Sequence, residues 1–170
     1  MKIRQVRSDE YDLLQAFLKT AFETARYAEG DEYTFAANLR FANGYIPELE
    51  LVVEEEGAIV AHLMLTQVSI TGTSGDHPVL LLAIVSVLLS RRREGIGKAI
   101  IEDAFQRARK MRRHGVVVVG DPGYYARFGF RPSTAFGILN ANGFEEEVVM
   151  ALELLPNGLA GAAGYLWLPS

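Results

Sequence analysis

Gly95 and Gly97, set in Arg91-Arg92-Arg93-Glu94-Gly95-Ile96-Gly97-Lys98, have the types and spacing to hold an anion. Glycine carries no Cβ, so the backbone can approach a ligand closely. The residues that follow open a helix, and its first N–H groups have no intrahelical acceptor. Those groups and the aligned peptide dipoles favour negative charge, by about 0.3–1 kcal/mol at an exposed helix end and up to about 2 kcal/mol when partly buried. Arg91, Arg92, Arg93 and Lys98 add cations at the same place, so the chemistry implied is phosphate or pyrophosphate binding. A P-loop needs glycine, four residues, then Gly-Lys-Ser/Thr, whereas here Ala99 follows Lys98 and Arg92 stands five places before Gly97. A dinucleotide fingerprint needs glycine or alanine where Ile100 stands and an acidic residue at the end of the next strand, where Asp121 fits poorly.

The elements that must hold this loop are legible in the periodicity. The apolar run at 79–89 reads as a buried strand feeding the loop, and about 95–112 as the helix after it. Gly115 follows that helix, Val116–Val119 is a short apolar strand, and Pro122 opens a helix through Phe128. Upstream, residues 2–7 read as a strand, and Ser8 caps a helix over about 10–26 whose Tyr11, Leu14, Leu18 and Phe22 recur at helical spacing. A second helix covers about 32–42. Residues 49–55 and 58–71 read as antiparallel strands joined by a tight turn at Glu56-Gly57, and strands near 135–141 and 147–153 complete the sheet. The tail from Pro156 has no readable element, since Gly158, Gly161 and Gly164 weaken any helix there. This order predicts an α/β (α+β) sandwich with a mixed, mostly antiparallel sheet and helices on both faces.

Composition narrows the function. At 170 residues and 49% hydrophobic, the chain can bury one substantial core. We expect one domain over 1–155, with 156–170 as a C-terminal extension packed on it. The net charge of −4 argues against a nucleic-acid partner. The basic residues are local, at 91–93 and at 107–113, the second group lying late in a helix where it suits the negative end. The absence of cysteine excludes disulfides, thiolate metal sites and a cysteine nucleophile. His77, in a Gly-Asp-His-Pro turn, and His114, at a helix end, read as solvent-facing without partners at metal-ligand spacing, so no metal is expected. The N-terminus shows no apolar signal region and the longest apolar run is too short for a bilayer, which points to a cytoplasmic protein with no membrane partner.

Arg92-Arg93-Glu94-Gly95-Ile96-Gly97 also resembles the R/Q-x-x-G-x-G/A pyrophosphate loop of the GNAT-type N-acetyltransferase superfamily. The likeness continues on both sides: Val85-Ser86-Val87 is similar to the family strand that pairs with pantetheine, and Tyr124-Tyr125-Ala126-Arg127-Phe128-Gly129-Phe130 to its Tyr-x-x-x-Gly-Phe segment. Within the superfamily the sequence looks most like bacterial N-acetyltransferases of the YhbS type, through Val119-Gly120-Asp121-Pro122-Gly123-Tyr124-Tyr125, Tyr45–Val52 and Ile59-Val60-Ala61-His62. The resemblance spans about residues 2 to 152. Leu89 departs from it, standing where many members have proline, and is expected to let the strand run further.

The resemblance implies a GNAT-like sandwich splayed between the strands at 79–89 and 116–119, with acetyl-CoA as co-substrate and no metal. Backbone groups of Val85, Ser86 and Val87 would bind pantetheine. The loop of Arg92, Arg93, Glu94, Gly95, Ile96, Gly97 and Lys98 would bind pyrophosphate, and Phe128 would adjoin the cofactor. It makes Tyr125 the general acid for the leaving thiolate, a role its phenol can fill at physiological pH. The base is open among Glu48, Glu50, His62 and Ser86. His62 or Glu50 leads, His62 through its ordinary pKa of about 6.5, although a single histidine in an apolar run is commonly structural. The acceptor side draws on residues 23–48, with Tyr27, Glu29 and Tyr33 as candidates and acidic residues to attract a cationic amine. The reading is an acetyl-CoA-dependent N-acetyltransferase in which a primary amine, of a small molecule or a protein, attacks the thioester directly. The alternatives are a non-catalytic acyl-CoA-binding or regulatory module and, further off, a nucleotide-binding protein. Homodimerisation accords with the resemblance, with the segment around Tyr165-Leu166-Trp167-Leu168 available to cover a sheet edge or a partner.

Overall fold

Glu56 and Gly57 both take positive φ, 51° and 79°, and turn β2 (Tyr45–Glu55) back onto β3 (Ala58–Gly72) as an antiparallel hairpin, as the Glu-Gly pair predicts. The structure, a computed structural model, describes residues 1–23 and 32–169. Its strands, β1 (Lys2–Gln5), β2, β3, β4 (Gly75–Val87), β5 (Gly115–Val119), β6 (Arg131–Pro132), β7 (Ile138–Asn140), β8 (Val149–Glu153) and β9 (Gly164–Leu166), form a mixed sheet. The order is β1-β2-β3-β4-β5-β8-β6, with β9 pairing both β3 and β7. β4–β5 and β7–β9 run parallel, while β1–β2, β2–β3, β3–β9, β5–β8 and β6–β8 are antiparallel, so the sheet is mostly antiparallel as expected.

The chain forms two compact units, residues 1–66 with 83–107 and residues 67–82 with 108–170. In the first, α1 (Tyr11–Glu23) turns Leu14, Phe17, Leu18 and Ala21 inward, and α2 (Glu32–Arg40) adds Ala36 and Leu39. Spacings of three and four put these residues on one face of each helix, and several pack with Met64 of β3 and Ile84 of β4 in a single apolar cluster. α3 (Ile96–Lys110) buries Ile100, Ile101, Ala104, Phe105 and Ala108 by the same rule. In the second unit, Val116, Val117 and Val118 of β5 and Val149, Met150 and Ala151 of β8 are buried. α4 (Pro122–Tyr125) begins with proline at its first position and with the Asp121 carboxylate accepting the Gly123 N–H at 2.9 Å.

Several boundaries differ from the sequence reading. Ser8 is not a helix cap: it lies in a 3-10 turn, Ser8–Glu10, and the Glu10 carboxylate instead accepts the Arg7 N–H at 2.9 Å and the Arg4 guanidinium at 2.6 Å. β4 takes in Asp76-His77-Pro78, and His77 is half-buried, its ring edge-on to His114 with 6.0 Å between centroids. At its other end β4 stops at Val87. The Leu88 N–H still donates to Val60 O, but Leu89–Arg91 is a 3-10 turn, so Leu89 does not prolong the strand. Among the described residues no helix is long and apolar enough to cross a membrane.

Candidate functional site

α3 begins at Ile96, and the Gly95 carbonyl accepts the Ala99 N–H at 3.0 Å as its first full-turn bond. The N–H groups of Ile96, Gly97 and Lys98 precede that bond and have no intrahelical acceptor. Gly95 sits at φ 81°, and a Cβ built there would meet nothing within 4 Å. Glycine is therefore required by the backbone angle, and the loop's surface is open to a ligand. The four cations grouped by the sequence divide into pairs. Arg91 bridges Glu55 and Glu94, and Arg92 donates to Val87 O at 3.1 Å and Ala21 O at 3.2 Å, binding the loop to the end of β4 and to α1. Arg93 and Lys98 are exposed, with Glu102 no nearer than 4.0 Å to the Lys98 ammonium. The side chains left to meet an anion are thus Arg93 and Lys98, while Arg91 and Arg92 shape the loop.

The same unit holds a buried polar cluster. Glu50 is fully buried on β2. It receives Nε and Nη2 of Arg40 at 2.9 and 2.6 Å and the Tyr45 hydroxyl at 2.7 Å, and its Oε2 lies 2.7 Å from Nε2 of the equally buried His62. Tyr11 closes the group, its ring under the Arg40 guanidinium and its hydroxyl 3.5 Å from that of Tyr45. Burial alone pushes the Glu50 carboxyl upward, but the His62, Arg40 and Tyr45 donors outweigh it and hold the group down at about 2. Burial, with hydrogen bonds to Tyr11 and Glu50, raises the Tyr45 phenol. Glu50 is therefore an ionised anchor with its lone pairs engaged. Glu48, the neighbouring carboxylate, is exposed.

Tyr125 belongs to the second unit, on the short helix opened by Pro122. Its ring lies edge-on to Tyr124 and Phe130, at 5.0 and 5.7 Å between centroids, and tilted against Phe128 at 6.4 Å. Burial, then Tyr124 and Asp121, pushes its phenol up to about 12. Gly120 supplies the room for this ring: a Cβ there would lie 2.5 Å from Tyr125 Cε2. Gly120→Ala is therefore expected to displace the Tyr125 ring and to cost about 1–3 kcal/mol by overpacking, read from the midpoint of urea unfolding.

The structure brings Glu50 and His62 into direct contact and sets Arg93 and Lys98 beside the open helix end. Tyr27 and Glu29 lie outside the described residues, and Tyr33 is in the first turn of α2. Sequence reasoning missed Arg40, Tyr45 and Gly120. Arg40 is an ordinary surface type until the chain folds it onto Glu50, while Tyr45 and Gly120 entered the sequence reading only within stretches that carry the resemblance, without a role of their own. Among the described residues no group of three or more metal-ligating side chains converges.

Comparison with known proteins identifies the family. The model of the acetyltransferase (GNAT) domain matches residues 2–133. The fold is similar to that of a GNAT family acetyltransferase from Brucella melitensis, solved with acetyl-CoA, at a TM-score of 0.73 and 28% identity over 91% of this chain and 88% of that one. It is also similar to the GNAT family N-acetyltransferase YhbS from Escherichia coli, solved with CoA, at a TM-score of 0.86 and 21% identity over 99% of this chain and 89% of that one. The ribosomal-protein-S18-alanine N-acetyltransferase from Escherichia coli shares the fold at a TM-score of 0.61 and 18% identity, over 90% and 93% of the two chains. No curated protein matches the sequence at a significant level. A family model that covers most of the chain and contains the glycine loop, together with the shared mixed sheet, establishes that the chain belongs to the GNAT acetyltransferase family.

Proposed function

We propose that the protein is an acetyl-CoA-dependent N-acetyltransferase that moves an acetyl group from the CoA thioester to a primary amine, of a small molecule or a protein, by direct attack. The observation that carries this reading is the unpaired N-terminus of α3 behind Gly95, with Arg93 and Lys98 exposed beside it. Backbone donors converging on a helix end fit a pyrophosphate. The amides of Ile96, Gly97 and Lys98 would hold it, with Arg93 and Lys98 screening its charge. Backbone groups of Val85, Ser86 and Val87 would take the amides of the pantetheine arm, and a peptide N–H there would polarise the thioester carbonyl as charge develops on its oxygen. Acetyl-CoA supplies an activated acyl group. The chain's task is to orient it, to accept the amine's proton and to protonate the departing sulfur.

Tyr125 is the proposed proton donor to that sulfur, supported by a phenol that stays protonated through the neutral range. For the base, the geometry favours His62 over Glu50. Glu50 is held ionised by three donor groups and is a weak acceptor of another proton, whereas the His62 ring has one nitrogen on Glu50 and the other without a partner among the described residues.

Calorimetric titration with acetyl-CoA, CoA and ATP, on wild type and on Gly97→Trp, tests the reading. Wild type is expected to bind acetyl-CoA and CoA but not ATP. The tryptophan, placed among the unpaired amides, is expected to abolish binding while leaving the far-UV circular dichroism unchanged. A folded wild-type protein that binds neither CoA species would sink the transferase reading, and thiol release with a panel of amines separates an enzyme from a binding module.

A further inference from the structure

Within the second unit, residues 78–80 of β4 and residues 111–115 after α3 line a cavity of about 250 Å³. Sites for drug-sized ligands run from about 300 to 1,000 Å³, so this one suits a small occupant. Arg112, Arg113 and His114 are in the lining, and no acidic residue is. A concave surface lined by charge of one sign concentrates ions of the other. None of these residues belongs to the proposed cofactor loop, acid or base.

Cations at a helix C-terminus ordinarily serve its free carbonyls, but these side chains do not. Backbone groups close α3 instead: the Arg112 N–H donates to Arg109 O and the Arg113 N–H to Ala108 O, both at 3.0 Å, in a Schellman motif. The Arg109 guanidinium turns to Leu154 O at 3.0 Å and that of Arg113 to Gln67 Oε1 at 2.6 Å. Arg112 has no side-chain hydrogen bond or ion pair among the described residues. It also holds φ at 61°, the left-handed position where glycine commonly closes such a motif and where a side chain is strained. The chain thus keeps an unpaired guanidinium at a position whose backbone favours glycine. Beside the cavity, the His77 ring, next in the chain to Pro78, stands edge-on to His114 at 6.0 Å between centroids. Its Nε2 is buried without a hydrogen-bond partner among the described residues, an uncommon state for a polar atom in an interior.

We propose that this cavity is a phosphate site, taking inorganic phosphate or the phosphate group of a small monoester between Arg112 and Arg113, with His114 and His77 beside it. Guanidinium forks match phosphate oxygens, and a tetrahedral dianion carries acceptors on several sides, so it can engage two forks at once. Arg112 offers its whole fork, and Arg113 keeps Nε and Nη2 after its bond to Gln67. The acidic side chains of the adjoining strands do not compete. Asp76 of β4 is exposed and lines no part of the cavity, and the Glu153 carboxylate of β8 accepts the Leu159 N–H.

NMR of the 15N-labelled protein, titrated with inorganic phosphate, with glycerol 3-phosphate and with sodium chloride at matched ionic strength, tests the site. Each residue reports separately, so phosphate held at residues 95–98 is not confused with phosphate held here. The amides of residues 112–115 and the imidazole nitrogens of His77 and His114 are expected to shift along one saturating curve with a phosphate and not with chloride. Saturation by inorganic phosphate alone assigns the free ion, and tighter binding of glycerol 3-phosphate assigns a monoester. Arg112→Gly should weaken binding by about 10-fold or more, the loss of a charge-assisted contact. Because glycine suits a φ of 61°, the same variant should raise the midpoint of urea unfolding, so its weaker binding is not a folding defect. Arg113→Gln should weaken binding similarly, and Arg93→Ala should leave these shifts unchanged. Equal shifts in phosphate and chloride, or Arg112→Gly and Arg113→Gln variants that bind as tightly as wild type, overturn the site and leave the acetyltransferase reading untouched.

Discussion

Replacing Tyr125 by phenylalanine should lower kcat by about 10²–10⁴-fold, the usual contribution of a positioned acid, while acetyl-CoA still binds. The substitution removes one oxygen and keeps the ring that packs against Tyr124, Phe128 and Phe130. Because the packed ring is kept and only its hydroxyl is removed, stability should be nearly unchanged. Burial disfavours the charged phenolate, so the phenol, pushed up to about 12, keeps its proton as pH rises through the neutral and mildly alkaline range. A change in rate between about pH 7 and 10 therefore belongs to another group, the amine's own ionisation first among them. Thiol release measured against pH for both proteins checks this. A variant with wild-type kcat would remove Tyr125 from the chemistry and leave it a packing residue.

Glu50→Ala should destabilise the protein by about 3–5 kcal/mol, the range for breaking a buried ion pair from one side. The loss has a specific cause: the Arg40 guanidinium, whose side chain is only 6% exposed, would be left charged without its carboxylate, and His62 and Tyr45 would lose their acceptor. Removing both charges as Glu50→Leu with Arg40→Met should recover much of the loss, since an apolar replacement of a buried pair is often neutral or stabilising. Urea unfolding of the single and double variants decides this. The same carboxylate gives stability a pH dependence of known sign. Its folded value of about 2 lies below its ordinary 4.5, so the folded state binds fewer protons than the unfolded chain between those values. The contribution, on the order of 3 kcal/mol, is complete above about pH 4.5 and disappears as pH falls through about 2. Glu10, held at about 2 first by its hydrogen bonds from Arg4, acts in the same direction and window. Acid titration of the unfolding midpoint should show a steep loss below pH 4.5 in wild type and a shallower one in Glu50→Ala.

The features legible in the sequence are those whose causes are local. The Glu56-Gly57 hairpin, the strand ending in the glycine loop and the start of α3 follow from backbone preferences and periodicity within a few residues. The expectation that residues 95–98 take an anion follows from the same local rules and needs no fold. Features decided at long range were misread or invisible. β9 is a three-residue strand whose partners are Ile70-Thr71 and Ile138–Asn140, and no local pattern in a Gly- and Ala-rich tail announces pairings so distant in the chain. Ser8 looked like a cap because it is a capping residue type, but Glu10 is recruited by Arg4. The arginines at the loop looked alike, and only the fold, by bringing Glu55 and Ala21 to them, divides Arg91 and Arg92, which shape the loop, from Arg93 and Lys98, which face solvent. By itself the sequence determined a strand, glycine loop and helix start that resemble those of the GNAT kind, because that motif is contiguous and made by backbone. The tertiary structure decided which side chains meet around Glu50, because Arg40 of α2 and His62 of β3 reach Tyr45 and Glu50 of β2 only on folding, and those neighbours hold the Glu50 carboxyl ionised.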